Sequence, residues 1–195
     1  MRLILASQSP SRASILRGAG VEPVLEPADI DERSLEASLA GHPPADIVAA
    51  LATAKAEKVA ERYPTEPVIG GDSMLLLGGE LQGKPHTEEA TIERWHQQAG
   101  RTAELLTGHC VIFGNKRHVE TSTTTVHFAQ ASKADIAAYA HSGEPLQCAG
   151  AFTLEAMGGW FIDRIEGDPS SVIGLSLPVV RRALYAFDLN VSDFW

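Results

Sequence analysis

The sequence has few cysteines, no long apolar run and fewer cations than anions, and each shortage excludes something. Two cysteines, Cys110 and Cys148, show no metal-like spacing and read as small core residues. Apolar runs such as residues 3–6 and 74–77 are strand-sized, and none approaches the roughly 20 residues of a membrane helix. The opening Met-Arg is followed by only four apolar residues before Ser7-Gln8-Ser9-Pro10, too short a stretch for a secretory signal, so a cytoplasmic location is expected. Sixteen Lys and Arg against twenty-five Asp and Glu leave a net charge of −9. That balance argues against a nucleic-acid polymer as partner, which needs a broad basic face. A small polyanion is still allowed, because a few local cations can hold it. Several motifs are absent: GxxxxGK[ST], a GxGxxG after a strand, GxSxG, and HExxH among the seven histidines. There is no repeat, no low-complexity tract and no interdomain linker, so residues 1–195 are expected to form one domain.

What is present suits a globular α/β protein: 195 residues, 44% hydrophobic and 21% charged. Residues 3–6 read as a buried strand. Ser9 then serves as an N-cap, with Pro10 opening a helix to Gly18. A strand over 21–25 follows, then an acidic loop with a helical turn over 29–44. Pro43-Pro44 opens a helix over 45–63 whose apolar positions Ile47, Leu51, Ala54 and Val59 recur at helical spacing. Val68-Ile69 starts a strand that is expected to break at Gly70-Gly71 and resume over 74–77. Gly78-Gly79 turns it into the return strand 80–82. A helix over 86–100 begins near Thr87. Strands are expected over 103–107, 110–113, 118–129 and 158–165, with helices over 133–140, capped by Ser132, and 178–187. Alternating strands and helices followed by hairpins imply a mixed sheet.

Five segments can carry chemistry. The strand–turn–helix at Ser7–Arg12 gathers a helix N-terminus, two hydroxyls (Ser7, Ser9) and a guanidinium, a set suited to an anion as well as to a plain cap. In Ile69-Gly70-Gly71-Asp72-Ser73 an acid interrupts an apolar strand. Asp72 is either a turn aspartate or a group to bind a divalent cation, activate a water, or both. Lys84, after the hairpin, and Lys55, on the long helix, are each solvated charges unless they combine near Asp72. Glu155 closes a Gly-bearing loop and can accept from a base edge. Residues 164–175 form a small-residue turn that reads as a ligand wall or a plain turn.

In this order the pieces resemble the Maf family of nucleoside triphosphate pyrophosphatases. The matching stretches are residues 3–12, Ala28-Asp29-Ile30-Asp31-Glu32, Lys55 in Ala-Lys-Ala-Glu-Lys, Gly71-Asp72-Ser73, Gly83-Lys84-Pro85, Leu106-Thr107-Gly108-His109, residues 149–155 and residues 164–178. The resemblance implies an elongated two-lobed fold, similar to inosine triphosphatases, with the active-site cleft between the lobes. It implies hydrolysis of a nucleoside triphosphate between the α- and β-phosphates with Mg²⁺ or Mn²⁺. Asp72 would be the proton acceptor. Ser7, Ser9, Arg12, Lys55 and Lys84 would bind substrate, and Asp72 and Glu32 would face the metal. Ser11, Ser73 and Glu155 match the family's specificity positions. Glu155 points away from dTTP and UTP and toward modified nucleotides such as 7-methyl-GTP, since a carboxylate accepts from guanine N–H groups but cannot donate to a pyrimidine carbonyl. Ser11 stands where the 7-methyl-GTP members carry an aromatic residue, which leaves the base open. The resemblance also implies a homodimer. A nucleotide-binding regulator of septum formation without significant catalysis is the alternative reading.

Overall fold

Local capping chemistry starts most of the helices, and the computed structural model describes residues 1–195 throughout. Helix α1 (Pro10–Gly18) has Ser9 as N-cap and proline at its first position. The Thr87 hydroxyl accepts from Ala90 N–H to open α4 (Glu88–Gln98), and Ser132 does the same with Asp135 N–H for α5 (Lys133–His141). The acidic segment holds more than a turn: Asp31 caps α2 (Glu32–Ser38) by accepting from Ser34 N–H. In α3 (Pro44–Ala60) the buried stripe is Ile47, Val48, Leu51, Ala52, Lys55, Ala56 and Val59. Lys55 therefore stands on the core face itself rather than beside it.

One sheet runs β2-β1-β3-β5-β6-β7, with β4 paired to β3. Its strands are β1 (Ile4–Leu5), β2 (Val24–Leu25), β3 (Val68–Leu77), β4 (Glu80–Gln82), β5 (Thr102–Phe113), β6 (Lys116–Phe128) and β7 (Ile162–Glu166). Strand β1 lies parallel to β2 and β3, while β4 is antiparallel to β3 and β7 to β6, which makes the sheet mixed as expected.

The residues group into two compact units, with β3, β5 and β6 contributing to both. The first comprises Met1–Asp72, Thr107–Ser122 and Gly174–Trp195. Its core joins Leu3, Leu5, Leu16 and Ile69 to Val180 and Leu184 of α7 (Leu177–Ala186) and to Phe187 at its C-cap. The second comprises Ser73–Leu106 and Thr123–Ile173, and includes the short α6 (Pro169–Ile173). Trp95 anchors it: fully buried, edge-on to Phe128, Tyr139 and Phe161 at 5.5, 5.8 and 5.5 Å, its indole N–H donating to Ala151 O at 2.7 Å. No helix is long and apolar enough to cross a membrane.

Four local expectations are corrected. Strand β3 is continuous through Gly70-Gly71, and β5 is continuous through Gly108-His109. The glycines there make room for helix α3 and do not end a strand. A Cβ on Gly70 would stand 2.1 Å from the Ala52 carbonyl oxygen, and one on Gly108 would stand 2.3 Å from that of Val48. The expected strand over 158–165 begins instead as a 3₁₀ turn, Met157–Phe161, and only then becomes β7. Cys110 is buried as expected, but Cys148 is only half-buried. Gly70→Ala is expected to cost about 3 kcal/mol, since backbone of α3 would have to move, and urea unfolding measures it.

Candidate active site

The geometry around Asp72 starts from α3. The core-face position of Lys55 drives its ammonium under the sheet, where it donates to Asp72 Oδ1 at 2.7 Å and pairs with Glu32 Oε2 at 2.8 Å. Lys55 and Asp72 are 7% and 8% exposed, so this is a desolvated pair, with Glu32 at its open edge. The second oxygen of Asp72, Oδ2, is buried with no hydrogen-bond partner. A buried carboxylate oxygen without a donor is costly, and a catalytic role or a bound water or ion is what ordinarily explains one.

Arg12 completes this group. Its Nε donates to Gly174 O at 2.7 Å and its Nη1 to Ser7 Oγ at 3.2 Å. Ser7 Oγ also accepts from Ser9 N–H at 3.1 Å, closing the turn before α1. Gly71, whose missing Cβ would lie 3.3 Å from Arg12 Nε, lets the Arg12 side chain approach the strand closely. Burial lowers the pKa of Arg12 while Asp72 and Glu32 oppose the shift, and a guanidinium keeps its charge in any case. Ser9 makes no side-chain cap to α1. Ser11 is half-buried beside it on the first turn.

The expected site residues thus fall into two groups. Ser7, Ser9, Ser11, Arg12, Glu32, Lys55 and Asp72 belong to the first unit. Ser73, Lys84 and Glu155 belong to the second. Lys84 and Glu155 are exposed, and both act electrostatically on Cys148. Burial raises the Cys148 thiol to about 11, with Glu155 and Glu144 adding to the rise and Lys84 opposing it. That thiol is therefore protonated at neutral pH and a poor nucleophile.

Two supporting residues were not read as functional from the sequence. His109 is fully buried; its Nε2 accepts from Ser176 N–H at 2.8 Å, so Nδ1 carries the proton and donates to Glu120 O at 3.3 Å. Ser176 caps α7, two residues beyond the Gly174 carbonyl that holds Arg12. Glu144 gathers four donors in the second unit. A lone histidine after Thr-Gly and a lone glutamate before proline carry no local mark of either task.

A metal would find two carboxylates here, Glu32 and Asp72, and no cluster of three or more ligating side chains exists. That donor set, carboxylate oxygens alone, fits a hard cation such as Mg²⁺, which is commonly held by one or two carboxylates and completed by substrate phosphates.

Midway along β3 the mixed sheet carries a buried pair of opposite charges beside a clamped guanidinium, a set of groups suited to a small anionic ligand. More particularly, the chain belongs to the Maf-like protein family, whose model matches residues 2–187. It is 76% identical over 195 residues to a nucleoside triphosphate pyrophosphatase of Corynebacterium aurimucosum, covering 100% of this chain and 98% of that one. It is 52% identical to a protein of the same name in Nocardia farcinica, covering 99% and 96%. A looser likeness in structure is to the Staphylococcus aureus Ham1 protein, at TM-score 0.46 and 16% identity over 67% of this chain and 73% of that one.

Proposed function

We propose that the chain is a nucleoside triphosphate pyrophosphatase, a hydrolase that splits the α–β phosphoanhydride with water to give a nucleoside monophosphate and pyrophosphate. The observation that carries this reading is the unpartnered Asp72 Oδ2, held in place by Lys55 on the other oxygen. The relatives' names and the family support it.

In this reading Oδ2 takes the proton of the attacking water. Arg12 and Lys55, with the N-terminus of α1, would be the positive groups that meet a substrate of about four negative charges once a divalent cation relieves them of Asp72 and Glu32. Arg12 offers a rigid fork for phosphate oxygens, and Ser7 and Ser9 offer hydroxyls. Lys84 is assigned to the leaving phosphates, and Ser11, Ser73 and Glu155 to choice of base, with modified purine nucleotides such as 7-methyl-GTP favoured over dTTP and UTP. Glu32 would hold a divalent cation, joined by Asp72 where Lys55 yields Oδ1. Bound there, the cation would neutralise phosphate charge and polarise the α-phosphorus. Such an enzyme acts on free nucleotides in the cytoplasm.

The test is a panel of common and modified nucleoside triphosphates with Mg²⁺ or Mn²⁺, with pyrophosphate and monophosphate quantified. Release of both products in equal amounts is expected, and inorganic phosphate as the only product would overturn the reaction. Chelation with EDTA is expected to abolish turnover and added Mg²⁺ to restore it; full activity in EDTA would remove the cation from the scheme. Nucleotide binding by calorimetry with no product would move the assignment to the regulatory reading.

A further inference from the structure

The segment carrying Glu155 is tied down at both ends by one carboxylate. Glu144, in the short 3₁₀ turn after α5, accepts four hydrogen bonds. The donors are Tyr139 Oη at 3.1 Å, Thr153 Oγ1 at 2.5 Å, Met157 N–H at 3.1 Å and Gly158 N–H at 3.0 Å. The donors interlock: Tyr139 Oη accepts from Thr153 N–H at 3.1 Å, and Thr153 Oγ1 accepts from Gly158 N–H at 3.1 Å. Tyr139 and Thr153 are buried, and Tyr139 is locked into the aromatic cluster of Trp95. A Cβ on Gly158 would lie 2.4 Å from Thr153 O and 2.5 Å from Tyr139 Oη, so the closure has no slack. Between the two fastened ends lie Leu154, Glu155 and Ala156. Burial pushes the Glu144 carboxyl up, but the bonds from Thr153, Gly158, Met157 and Tyr139 outweigh it and hold the pKa below the usual range, so the acceptor stays ionised. Charge-assisted bonds of this kind are about twice as strong as neutral ones.

We infer that Glu144 is a positioning residue for substrate selection: its carboxylate fixes the Thr153–Gly158 loop and thereby the place from which Glu155 meets the base. A loop of five or six residues without this tie would let Glu155 sample many positions, and discrimination between bases would fall as its carboxylate strayed from the base edge. The inference rests on the reading of Glu155 as a base-selecting residue.

Glu144→Gln tests it. The glutamine carbonyl takes the Oε1 bonds, that of Gly158 N–H among them, only as weaker neutral ones, and its NH₂ then faces the Met157 N–H, donor against donor. Amide exchange followed by NMR is expected to quicken about tenfold at Met157 and Gly158, with the α4 amides unchanged. The kcat/KM ratio between purine and pyrimidine triphosphates is expected to move about tenfold toward that of Glu155→Ala, the loss falling on KM rather than kcat. The double variant is expected to show no further change in the ratio. Unchanged exchange at Met157 and Gly158 overturns the tie itself. Quickened exchange with an unmoved ratio, while Glu155→Ala does move it, overturns the positioning role and leaves Glu155's role standing. A ratio indifferent to Glu155→Ala overturns the base-selecting reading, and the inference with it. If Glu144→Gln does not fold, Thr153→Val carries the same three readouts, with Thr153→Ser expected to restore them.

Discussion

Asp72→Asn is expected to lower turnover about 10²–10⁴-fold while the far-UV circular dichroism stays that of the parent protein. Asparagine keeps the shape of the side chain, and its carbonyl can still accept from the Lys55 ammonium that lies 2.7 Å from Oδ1. What is lost is the Oδ2 acceptor, the buried oxygen with no internal partner. An NH₂ in its place can donate to a water but cannot take its proton. Stability should fall modestly, by about 1–2 kcal/mol, because the new NH₂ is buried with no partner. Steady-state kinetics beside urea unfolding separate the two effects. Parental turnover in the variant would remove Asp72 from the proton transfer.

Lys55→Met is expected to be costly in both respects. Methionine matches the aliphatic stem and suits the apolar face of α3, so packing is largely kept. The charge is not replaced. Asp72 would remain buried, with Glu32 beside it and only Arg12 left as a nearby cation. Removing one partner of a buried pair typically costs about 3–5 kcal/mol, an effect that urea denaturation measures directly. Turnover should fall about 100-fold or more if, as proposed, Lys55 is a cation that meets the substrate phosphates. The double variant Lys55→Met, Asp72→Asn is expected to recover about 1–3 kcal/mol relative to the sum of the single changes, since the two groups act as one unit. Additive losses would mean that the pair is not coupled.

The sequence showed the helix starts well because they are local. Ser9-Pro10, Thr87 and Ser132 each declare a helix within three or four residues, and each is found at its helix start. The glycines misled because their reason is distant. Gly70 and Gly108 look like breaks along the chain, but they are contact points for α3, whose carbonyls occupy the space a Cβ would need. The convergence of Lys55 on Asp72 was open in the sequence; the register of α3 decides it by placing a lysine on a stripe otherwise made of Ile, Val, Leu and Ala. Glu144 was invisible for the opposite reason. Its donors sit at 139, 153, 157 and 158, and no pattern near Gly143-Glu144-Pro145 announces that they meet.

The bridging position of Lys55 also bears on how the enzyme would treat its own product. The ammonium is already shared between Glu32 and Asp72, and with Arg12 the four groups sum to no net charge. A bare anion must therefore win Lys55 away from two carboxylates before it gains anything, whereas an anion arriving with its own divalent ion brings those carboxylates a replacement partner. Sulfate and free phosphate should compete poorly, and pyrophosphate that sheds its cation should lose its hold. Inhibition by pyrophosphate would then deepen as the divalent ion rises and fade as it is removed.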